Sequence, residues 1–218
     1  TEENLNKLES FSNSLSKKTK DKNELLAIVV LNCNKGYYEN IFGKISKAIS
    51  SYELAWKIYH KNKLTTYDIT EYCLKPLGNL YTLIGDYSNA ENSIKQYYFV
   101  ASQEKNESQK QAAVLNLSNV YQNTGRIDQA IELLEKTIQK EKLTNAQKGL
   151  LYNNLGSNYF LNTRATKMKS YAFENAEKAF LKAVLLLERE PSQHEALTNS
   201  YRNLCKLNLE RKNKQMAL

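Results

Sequence analysis

The sequence contains few of the residues that interrupt helices. Among its 218 residues are only seven glycines and two prolines, so there are few places where a helix must end. The most apolar run, residues 25–31, is far shorter than the roughly 18 residues that a membrane-spanning helix needs. With 41% hydrophobic and 25% charged residues, the chain is too apolar to be disordered. The composition therefore predicts a soluble, globular, all-helical protein.

Cysteine and histidine are also scarce. Cys33, Cys73 and Cys205 lie far apart, with the spacing of neither a zinc site nor a disulfide framework, and we interpret them as small packing residues. His60 and His194 have no cysteine or carboxylate cluster beside them, which is typical of solvated residues near helix ends. The sequence has no Gly-rich phosphate loop, HExxH or GxSxG motif. It therefore predicts that this chain is not an enzyme and has no metal or cofactor.

What the sequence has instead is an internal repeat of about 40 residues. Its anchor is an alanine, found at Ala48, Ala90, Ala130, Ala176 and Ala217. A large side chain follows four positions after each of the first four alanines, as Tyr52, Ile94, Leu134 and Phe180. A small residue comes before each alanine, as Gly36, Gly78, Ser118, Gly156 and Cys205. This pattern predicts pairs of helices in close contact.

The conserved spacing within each repeat has a physical explanation. A small residue on one helix that faces an alanine on the next lets the two helices approach closely. Gly43, Gly85 and Gly125 fall between these two positions, where a short turn favours a residue that tolerates positive φ. Each repeat is therefore predicted to be a helix, a glycine turn and a second, antiparallel helix, which bury their apolar faces by stacking on neighbouring repeats.

The motifs GNLYTLIGDYSNA, residues 78–90, and SNVYQNTGRIDQA, residues 118–130, resemble the tetratricopeptide repeat (TPR) family. Its pattern is L-G-x-x-Y followed by G-x-Y-x-x-A, and the resemblance covers roughly residues 29–218. It implies an all-α fold, a right-handed α-solenoid of stacked antiparallel helix pairs. The period of about 40 instead of 34 residues is similar to the longer-repeat branch that binds extended peptides. The first repeat departs from the pattern, with Asn32, Lys35 and Glu39 at positions expected to be apolar or tyrosine.

The repeat register divides the chain into six segments. They are a leading helix and loop over 1–22, a degenerate first repeat over 23–63, repeats over 64–105, 106–143 and 144–190, and a truncated fifth repeat over 191–218. The leading helix is predicted from the spacing of Leu5, Leu8, Phe11 and Leu15. The basic, polar stretch 162–170 is predicted to be an inserted surface loop in the fourth repeat.

The two prolines indicate where helices begin or are disturbed, and the two chain ends indicate a longer natural protein. Pro191 suits the first turn of a helix, whereas Pro76 lies inside an apolar helical pattern and should disturb that helix. Because Ala217 occupies the alanine position of a repeat whose second helix is missing, we expect the natural protein to continue. A start at Thr1 without a signal-type stretch is typical of a fragment or a processed product, and the sequence does not identify the compartment.

The resemblance also implies which side chains line the concave groove, because the first helix of each repeat faces it. This set comprises Asn34, Lys75, Asn79, Asn116, Asn119, Asn153, Asn154, Ser157, Arg202, Asn203 and Lys206. A side-chain amide both donates and accepts hydrogen bonds, so a ladder of asparagines could pair with the backbone of an extended peptide. We therefore expect Asn116, Asn119, Asn154 and Asn203 to lie along one groove with unpaired amides. The abundance of asparagine throughout the chain is the competing, purely compositional explanation.

Two other partner classes, chaperone tails and nucleic acid, compete with a general peptide ligand. A five-residue carboxylate clamp known in the family matches Lys75, Asn79 and Asn116, but Leu150 and Asn154 replace its two basic residues. Without that pair the clamp lacks charge-assisted hydrogen bonds, which disfavours chaperone tails. The net charge of +8 and pI near 9.2 raise nucleic acid as a partner, yet no base-reading pair recurs between repeats. We interpret the charge instead as a solvated surface that also attracts acidic partners, and nothing indicates a membrane.

A narrower resemblance concerns the longer architecture. The run YDITEYCLKPLGNLYTLIGDYSNAE, with LNLSNVYQNTG and LLYNNLG, is similar to the N-terminal arrays of bacterial proteins that carry a C-terminal CHAT domain, a caspase-like peptidase. It implies a regulatory or sensing role within a longer protein, whose catalytic dyad would lie beyond Leu218. A signal-peptide receptor with repeats of about 40 residues is the alternative. The sequence thus predicts a protein-interaction scaffold that binds a peptide or partner segment.

Overall fold

The computed structural model describes residues 2–14, 19–139, 142–165 and 169–216. They belong to two compact units, Thr1–Lys110 and Gln111–Leu218. Every regular element in the described ranges is helical, which confirms the prediction of an all-α protein. None of these helices is long and apolar enough to span a membrane.

The first unit is built from consecutive helices that pack on one another. They are α1 (Glu2–Ser14), α2 (Lys22–Ile41), α3 (Ile45–Lys61), α4 (Lys75–Leu83) and α5 (Tyr87–Gln103), followed by the start of α6 (Glu107–Asn123). Helix α2 packs on α3, and α4 packs on α5. The second unit contains the rest of α6, then α7 (Ile127–Ile138), α8 (Asn145–Ala165), α9 (Lys169–Leu187) and α10 (His194–Met216). In this unit α8 packs on both α7 and α9, and α10 packs on α9.

The predicted turns between paired helices are present. Gly43, Gly85 and Gly125 have φ values of 70°, 78° and 74°, in the left-handed region that glycine enters without steric cost. Two aspartates mark helix beginnings, because the carboxylate of Asp21 accepts backbone N–H groups at the start of α2 and Asp86 does so at the start of α5. The residue preferences of the sequence thus set where these helices start and stop.

The packing inside each helix pair differs from the prediction in one respect. The repeat alanines Ala90 and Ala176 are fully buried, but the small residue on the facing helix makes room for another side chain. A Cβ added to Gly78 would lie 2.7 Å from Cγ1 of Ile94, and one added to Gly156 would lie 2.6 Å from Cδ1 of Phe180. The small residue therefore accommodates the large residue four positions after the alanine.

The repeat tyrosines have a role that the sequence pattern did not reveal. The hydroxyl of Tyr81 on α4 donates a hydrogen bond to Glu53 on α3, and that of Tyr159 on α8 donates to Glu135 on α7. In both cases the tyrosine reaches the second helix of the preceding predicted repeat. Burial and the neighbouring carboxylate raise the pKa of both tyrosines. These contacts join consecutive helix pairs within each unit.

The leading helix α1 packs on α2, as expected for the start of a stack. Leu5 is buried in this contact, and Lys47 on α3 forms an ion pair with Glu9 at 3.3 Å. Phe11, which the helical spacing placed on the same face, is instead exposed. Leu15 lies outside the described residues.

Pro76 disturbs its helix as predicted. It lies in the first turn of α4, directly after a π-helical turn over Thr70–Leu74. The N–H of Lys75 donates to the carbonyl of Thr70, a wider bond than the α-helical one. Because proline has no N–H, a regular helix through this point would lack a hydrogen bond. The π turn leads the chain into α4 at the point where Pro76 cannot donate a backbone hydrogen bond.

Asp68 stabilises the beginning of this π turn through hydrogen bonds. Its carboxylate accepts the N–H of Glu71 at 3.0 Å and both oxygens accept Nε2 of Gln109, at 3.0 and 2.9 Å. Burial alone would raise the pKa of Asp68, but these hydrogen bonds and that from Thr70 outweigh it and lower the pKa. The carboxylate therefore stabilises the fold in its charged form.

Two sequence predictions about local structure need correction. The stretch 162–170 is not a surface loop throughout, because 162–165 end α8 and 169–170 begin α9, while 166–168 lie outside the described residues. Of the three cysteines, Cys33 and Cys73 are buried packing residues, but Cys205 is exposed.

His60 and His194 are exposed near helix ends, as predicted. Pro191 begins a 3-10 turn that leads into α10. Ala217 lies outside the described residues, and the division into repeats stays a prediction.

Candidate functional site

Three of the predicted groove residues meet in one pocket of the first unit. Asn34 on α2 and Lys75 and Asn79 on α4 line a cavity of about 470 Å³. These positions lie far apart in the sequence and come together because the first helices of two consecutive predicted repeats form its walls. Asn34 and Asn79 are exposed, so a ligand in this cavity can reach their side chains.

Aromatic side chains form much of this pocket. Tyr37 and Tyr72 are 55% and 57% exposed, and Tyr72 stacks on Tyr67 with ring centroids 5.6 Å apart. All three line the cavity, which we call the tyrosine pocket, defined by Asn34, Tyr37, Tyr67, Tyr72, Lys75 and Asn79. Exposed tyrosine rings offer a large contact area that loses little rotamer freedom on binding.

The sequence analysis did not find these tyrosines. Tyr37 lies in the degenerate first repeat, and Tyr67 lies in the connection before the π turn, where the repeat pattern assigns no position. The available signal was composition, because 15 of 218 residues are tyrosine. That signal shows an excess of tyrosine but does not say which rings stand together.

The charge of Lys75 is already paired within the protein. Its Nζ lies 2.6 Å from Oε1 of Glu71, one helical turn earlier, and both side chains are about one-third exposed. Such a pair contributes little to stability. It does, however, neutralise the charge of Lys75, the residue that matches the first basic residue of the carboxylate clamp. The pocket is therefore polar and aromatic rather than strongly cationic.

The predicted groove residues of the second unit are arranged differently. Oδ1 of Asn153 on α8 accepts a hydrogen bond from Oγ of Ser200 at 3.1 Å and lies 3.4 Å from Nδ2 of Asn203, both on α10. Nδ2 of Asn203 is also 3.4 Å from Oγ of Ser157. We call Asn153, Ser157, Ser200 and Asn203 the amide network. It joins two helices of the same unit.

A second cavity lies beside the amide network. Ser157, Asn203 and Lys206 line a space of about 560 Å³, together with Phe160 and Leu209. Leu209 is exposed. The cavity thus combines polar and apolar walls, but two of its polar members already pair with each other across the helices.

The expectation of unpaired amides was wrong for three of the four asparagines. Nδ2 of Asn154 donates to the carbonyl of Leu150 at 3.1 Å, Asn203 belongs to the amide network, and Asn116 also interacts within the protein. Asn119 is exposed. Arg202 donates from Nη1 to Asn199 at 3.2 Å. These side chains therefore do not form a row of unpaired amides along one groove. Their role in binding stays a prediction.

Within the described ranges, no group of three or more His, Cys, Asp or Glu side chains could hold a metal ion. The chemistry that the site offers is hydrogen bonding from amides and stacking on tyrosine rings. This chemistry suits recognition of a partner and provides no nucleophile paired with a base.

Comparison with known proteins identifies the fold. No family model and no curated protein matches the sequence. BtubC (BKLC) from P. vanneervenii is similar in structure with a TM-score of 0.62 and 20% identity, covering 86% of this chain and 74% of that one. A kinesin light chain-like protein from Podosopora anserina with nearly identical TPR-like repeats has a TM-score of 0.66 and 15% identity, covering 87% and 89%.

These similarities concern architecture, because the identities are too low to carry a function. They confirm the predicted class, an α-solenoid of helix pairs. The described helices have the fold of TPR-like repeat proteins.

Proposed function

We propose that this protein is an interaction scaffold that binds an extended peptide or partner segment, with the tyrosine pocket as a principal contact. The observation that carries the proposal is the meeting of exposed Tyr37 and Tyr72 with Asn34 and Asn79 in one cavity. Such a combination of rigid aromatic surface and adaptable amides is typical of recognition surfaces. The fold supports it, since stacked helix pairs present their first helices as an extended surface.

The pocket accommodates a short segment of an extended chain. A volume of about 470 Å³ is in the range of ligand sites in proteins. The tyrosine rings would pack against an apolar or aromatic side chain of the partner, and the amides of Asn34 and Asn79 would hydrogen-bond its backbone. This division of roles gives affinity through the rings and orientation through the amides.

The net charge of +8 suggests the chemistry of the partner. A positively charged surface attracts acidic segments and accelerates their association. We therefore propose a partner segment in which an apolar or aromatic residue is flanked by aspartate or glutamate. Binding should weaken as salt concentration rises, because exposed charges are screened.

Synthetic peptides test this proposal directly. An array of peptides of about 12 residues, long enough to extend past a pocket of this size, should contain acidic aromatic sequences that bind. Replacing Tyr72 with alanine should lower affinity about tenfold for those peptides, because a truncated aromatic anchor typically costs more than 1 kcal/mol. Equal affinity of parent and Tyr72→Ala would remove the tyrosine pocket from the binding site.

Phe99 provides the matched control. It is 59% exposed on α5, a second helix, and does not line the pocket. Phe99→Ala removes a comparable aromatic ring without touching Asn34 or Asn79, so its peptide affinity should equal that of the parent. A loss as large as that of Tyr72→Ala would indicate non-specific hydrophobic contact.

We further propose that the scaffold is the sensing part of a longer protein, as the resemblance to CHAT-associated arrays implies. In such an arrangement a partner held by the repeats would regulate a peptidase domain beyond Leu218. The sequence of the complete gene product tests this role. A product that ends within a repeat or two would leave a stand-alone scaffold as the remaining interpretation.

A further inference from the structure

The three residues that depart from the repeat pattern in the first predicted repeat lie around one cavity. Asn32, Lys35 and Glu39, all on α2, line a space of about 510 Å³ that α1 and α3 also border. The departures are therefore gathered at one place in the fold. We call this space the Glu39 cavity and define it by Glu9, Ser12, Asn32, Lys35, Glu39 and Lys47.

Glu39 occupies the position at which the following predicted repeats have a tyrosine. It comes three residues after Gly36, as Tyr81 comes three residues after Gly78. The ring of Tyr81 is buried and its hydroxyl donates to a carboxylate on α3, whereas Glu39 places a shorter, charged side chain at the corresponding point. Glu39 is only 1% exposed. Because a buried carboxylate is costly unless it is paired, its partners show what the cavity offers a ligand.

One oxygen of this carboxylate has a hydrogen-bond partner and the other has none. Oε2 accepts a hydrogen bond from Oγ of Ser51 at 2.6 Å. Oε1 has no hydrogen-bond partner among the residues that the structure describes. Nζ of Lys35, one helical turn earlier, lies 3.8 Å from Oε1, close enough for electrostatic attraction but too far for a hydrogen bond. The cavity therefore presents an acceptor and a charged donor that do not reach each other.

The charges that line the cavity are balanced. Lys47 of α3 forms an ion pair with Glu9 of α1 at 3.3 Å, and both residues line the cavity together with Lys35 and Glu39. Two carboxylates and two ammonium groups thus surround the same space. A ligand with one charge of each sign complements this arrangement, because each of its charges can face a protein group of the opposite sign.

We propose that the Glu39 cavity binds a free α-amino acid in its zwitterionic form. The ligand's ammonium group donates to Oε1 of Glu39, and its carboxylate accepts from Nζ of Lys35. The nitrogen and a carboxylate oxygen of an α-amino acid are roughly 3 Å apart by standard backbone dimensions. They can therefore bridge protein atoms that are 3.8 Å apart, with a charge-assisted hydrogen bond at each end.

The size of the cavity and its remaining walls agree with such a ligand. A volume of about 510 Å³ is in the range of small-molecule sites and leaves room for the ligand's own side chain. Ser46, Ser50 and Leu54 also line the space, so that this side chain meets both hydroxyl and apolar surface. The residues that line the tyrosine pocket are different ones, and the proposal does not depend on peptide binding there.

Calorimetric titration of the full chain with each of the standard L-amino acids tests the proposal. At least one should bind saturably and raise the melting temperature, since a ligand that binds only the folded state stabilises it. The N-acetyl derivative of that amino acid lacks the ammonium group and its amide derivative lacks the carboxylate. Each should bind at least about tenfold more weakly, the usual effect of losing one charge-assisted hydrogen bond. Saturable binding of none of the amino acids, or equal binding of either derivative, would overturn the proposal.

Two substitutions place the ligand in the Glu39 cavity. Glu39→Gln keeps the shape of the side chain but removes its charge, and Lys35→Met keeps the length but removes the ammonium group. Both variants should bind the amino acid at least about tenfold more weakly. Lys136→Met is the matched control, because it removes a lysine from an exposed i,i+4 pair with Glu132 in the second unit, and its affinity should equal that of the parent.

The same measurements show which result would contradict the assigned site. Unchanged affinity in Lys35→Met, or an equal loss in Lys136→Met, would overturn it, because binding would then not depend on the charges that line the cavity. Circular dichroism checks that each variant is as helical as the parent. If Glu39→Gln lost helicity, the N-acetyl derivative would still test the bond to Glu39, because that titration uses the parent chain.

Discussion

The two compact units place asparagines of the predicted groove in different surroundings; of these, Asn34 and Asn203 occupy the same position of the predicted repeat. In the first, Asn34 and Asn79 are exposed at the edge of a cavity with tyrosine walls. In the second, Asn153 and Asn203 meet between α8 and α10, within hydrogen-bonding reach of Ser200 and Ser157. A position in a repeat therefore does not determine whether its side chain serves binding or structure. For Asn153 and Asn203 the neighbouring helix decides, because amides that pair with it have fewer bonds to offer a ligand.

Both units are expected to pack their helix pairs in the same way. Gly156→Leu tests this expectation, and of all the substitutions it should have the largest effect. The space beside Gly156 is filled by the buried ring of Phe180, so even a Cβ would lie 2.6 Å from Cδ1. A leucine should lower the free energy of unfolding by about 3 kcal/mol, the upper part of the range for overpacked cores. Chemical denaturation measures this change. Gly78→Leu should behave similarly in the first unit, against Ile94.

An exposed leucine is the control for this experiment. Glu174→Leu places the same side chain on the exposed face of α9, where a surface substitution typically changes stability by less than about 0.5 kcal/mol. If Gly156→Leu were no more disruptive than Glu174→Leu, the contact between α8 and α9 would not depend on a small residue, and the shared register of the two units would be refuted.

Substitutions in the two units test the comparison itself. Asn34→Ala should leave the unfolding midpoint nearly unchanged, because Asn34 is exposed, but should weaken binding of the peptides identified on the array. Asn153→Ala with Asn203→Ala should instead lower the free energy of unfolding by about 1 to 2 kcal/mol, since each hydrogen bond contributes about 0.5 to 1.5 kcal/mol. Thermal unfolding and peptide titration are measured for both variants. The same loss of stability in both, or a loss of binding in the second alone, would reverse the assigned roles.

The fold was predictable because its signals are local. The spacing of Ala90 and Gly78, together with the glycine turns, determines where helices lie and which faces they bury. The predicted groove residues Asn34, Lys75 and Asn79 line one cavity. Whether they bind a ligand stays a prediction.

The rest depends on contacts between distant residues, which a repeat pattern does not contain. Whether Asn153 is paired depends on Ser200 of another helix, and whether Tyr67 faces a cavity depends on the path of the connection before the π turn. The stretch 162–170 looked like a loop because it is polar and basic, but an exposed helix end has the same composition. Polarity alone does not distinguish a loop from a solvated helical turn.

A pH titration tests how the first unit holds the π turn that carries Cys73 and Tyr72. Asp68 has a lowered pKa in the folded protein, so its contribution to stability is fully present above the unfolded value of about 3.9 and is lost as pH falls through the folded value. Asp68→Asn should therefore melt at a lower temperature than the parent at neutral pH. The difference should shrink as the pH drops below about 4. A difference that is independent of pH would show that the charge of Asp68 is not what fastens the turn.

The smallest expected effect comes from two of the three described lysines with left-handed backbones, Lys63 from the first unit and Lys142 from the second. Lys63 has φ of 51° and Lys142 has φ of 77°, a conformation that costs an L-residue roughly 1 to 2 kcal/mol. Glycine would remove this strain, but it also raises the entropy of the unfolded chain, which costs about 0.5 to 1 kcal/mol. Lys63→Gly and Lys142→Gly should each therefore raise the melting temperature by only about 1 to 3 °C.

Lys63→Ala and Lys142→Ala are the matched controls, because alanine removes the positive charge but keeps the strain. An alanine variant that stabilises as much as glycine would trace the gain to the net charge of +8. A gain in one unit alone would show that the backbone strain differs between the two connections.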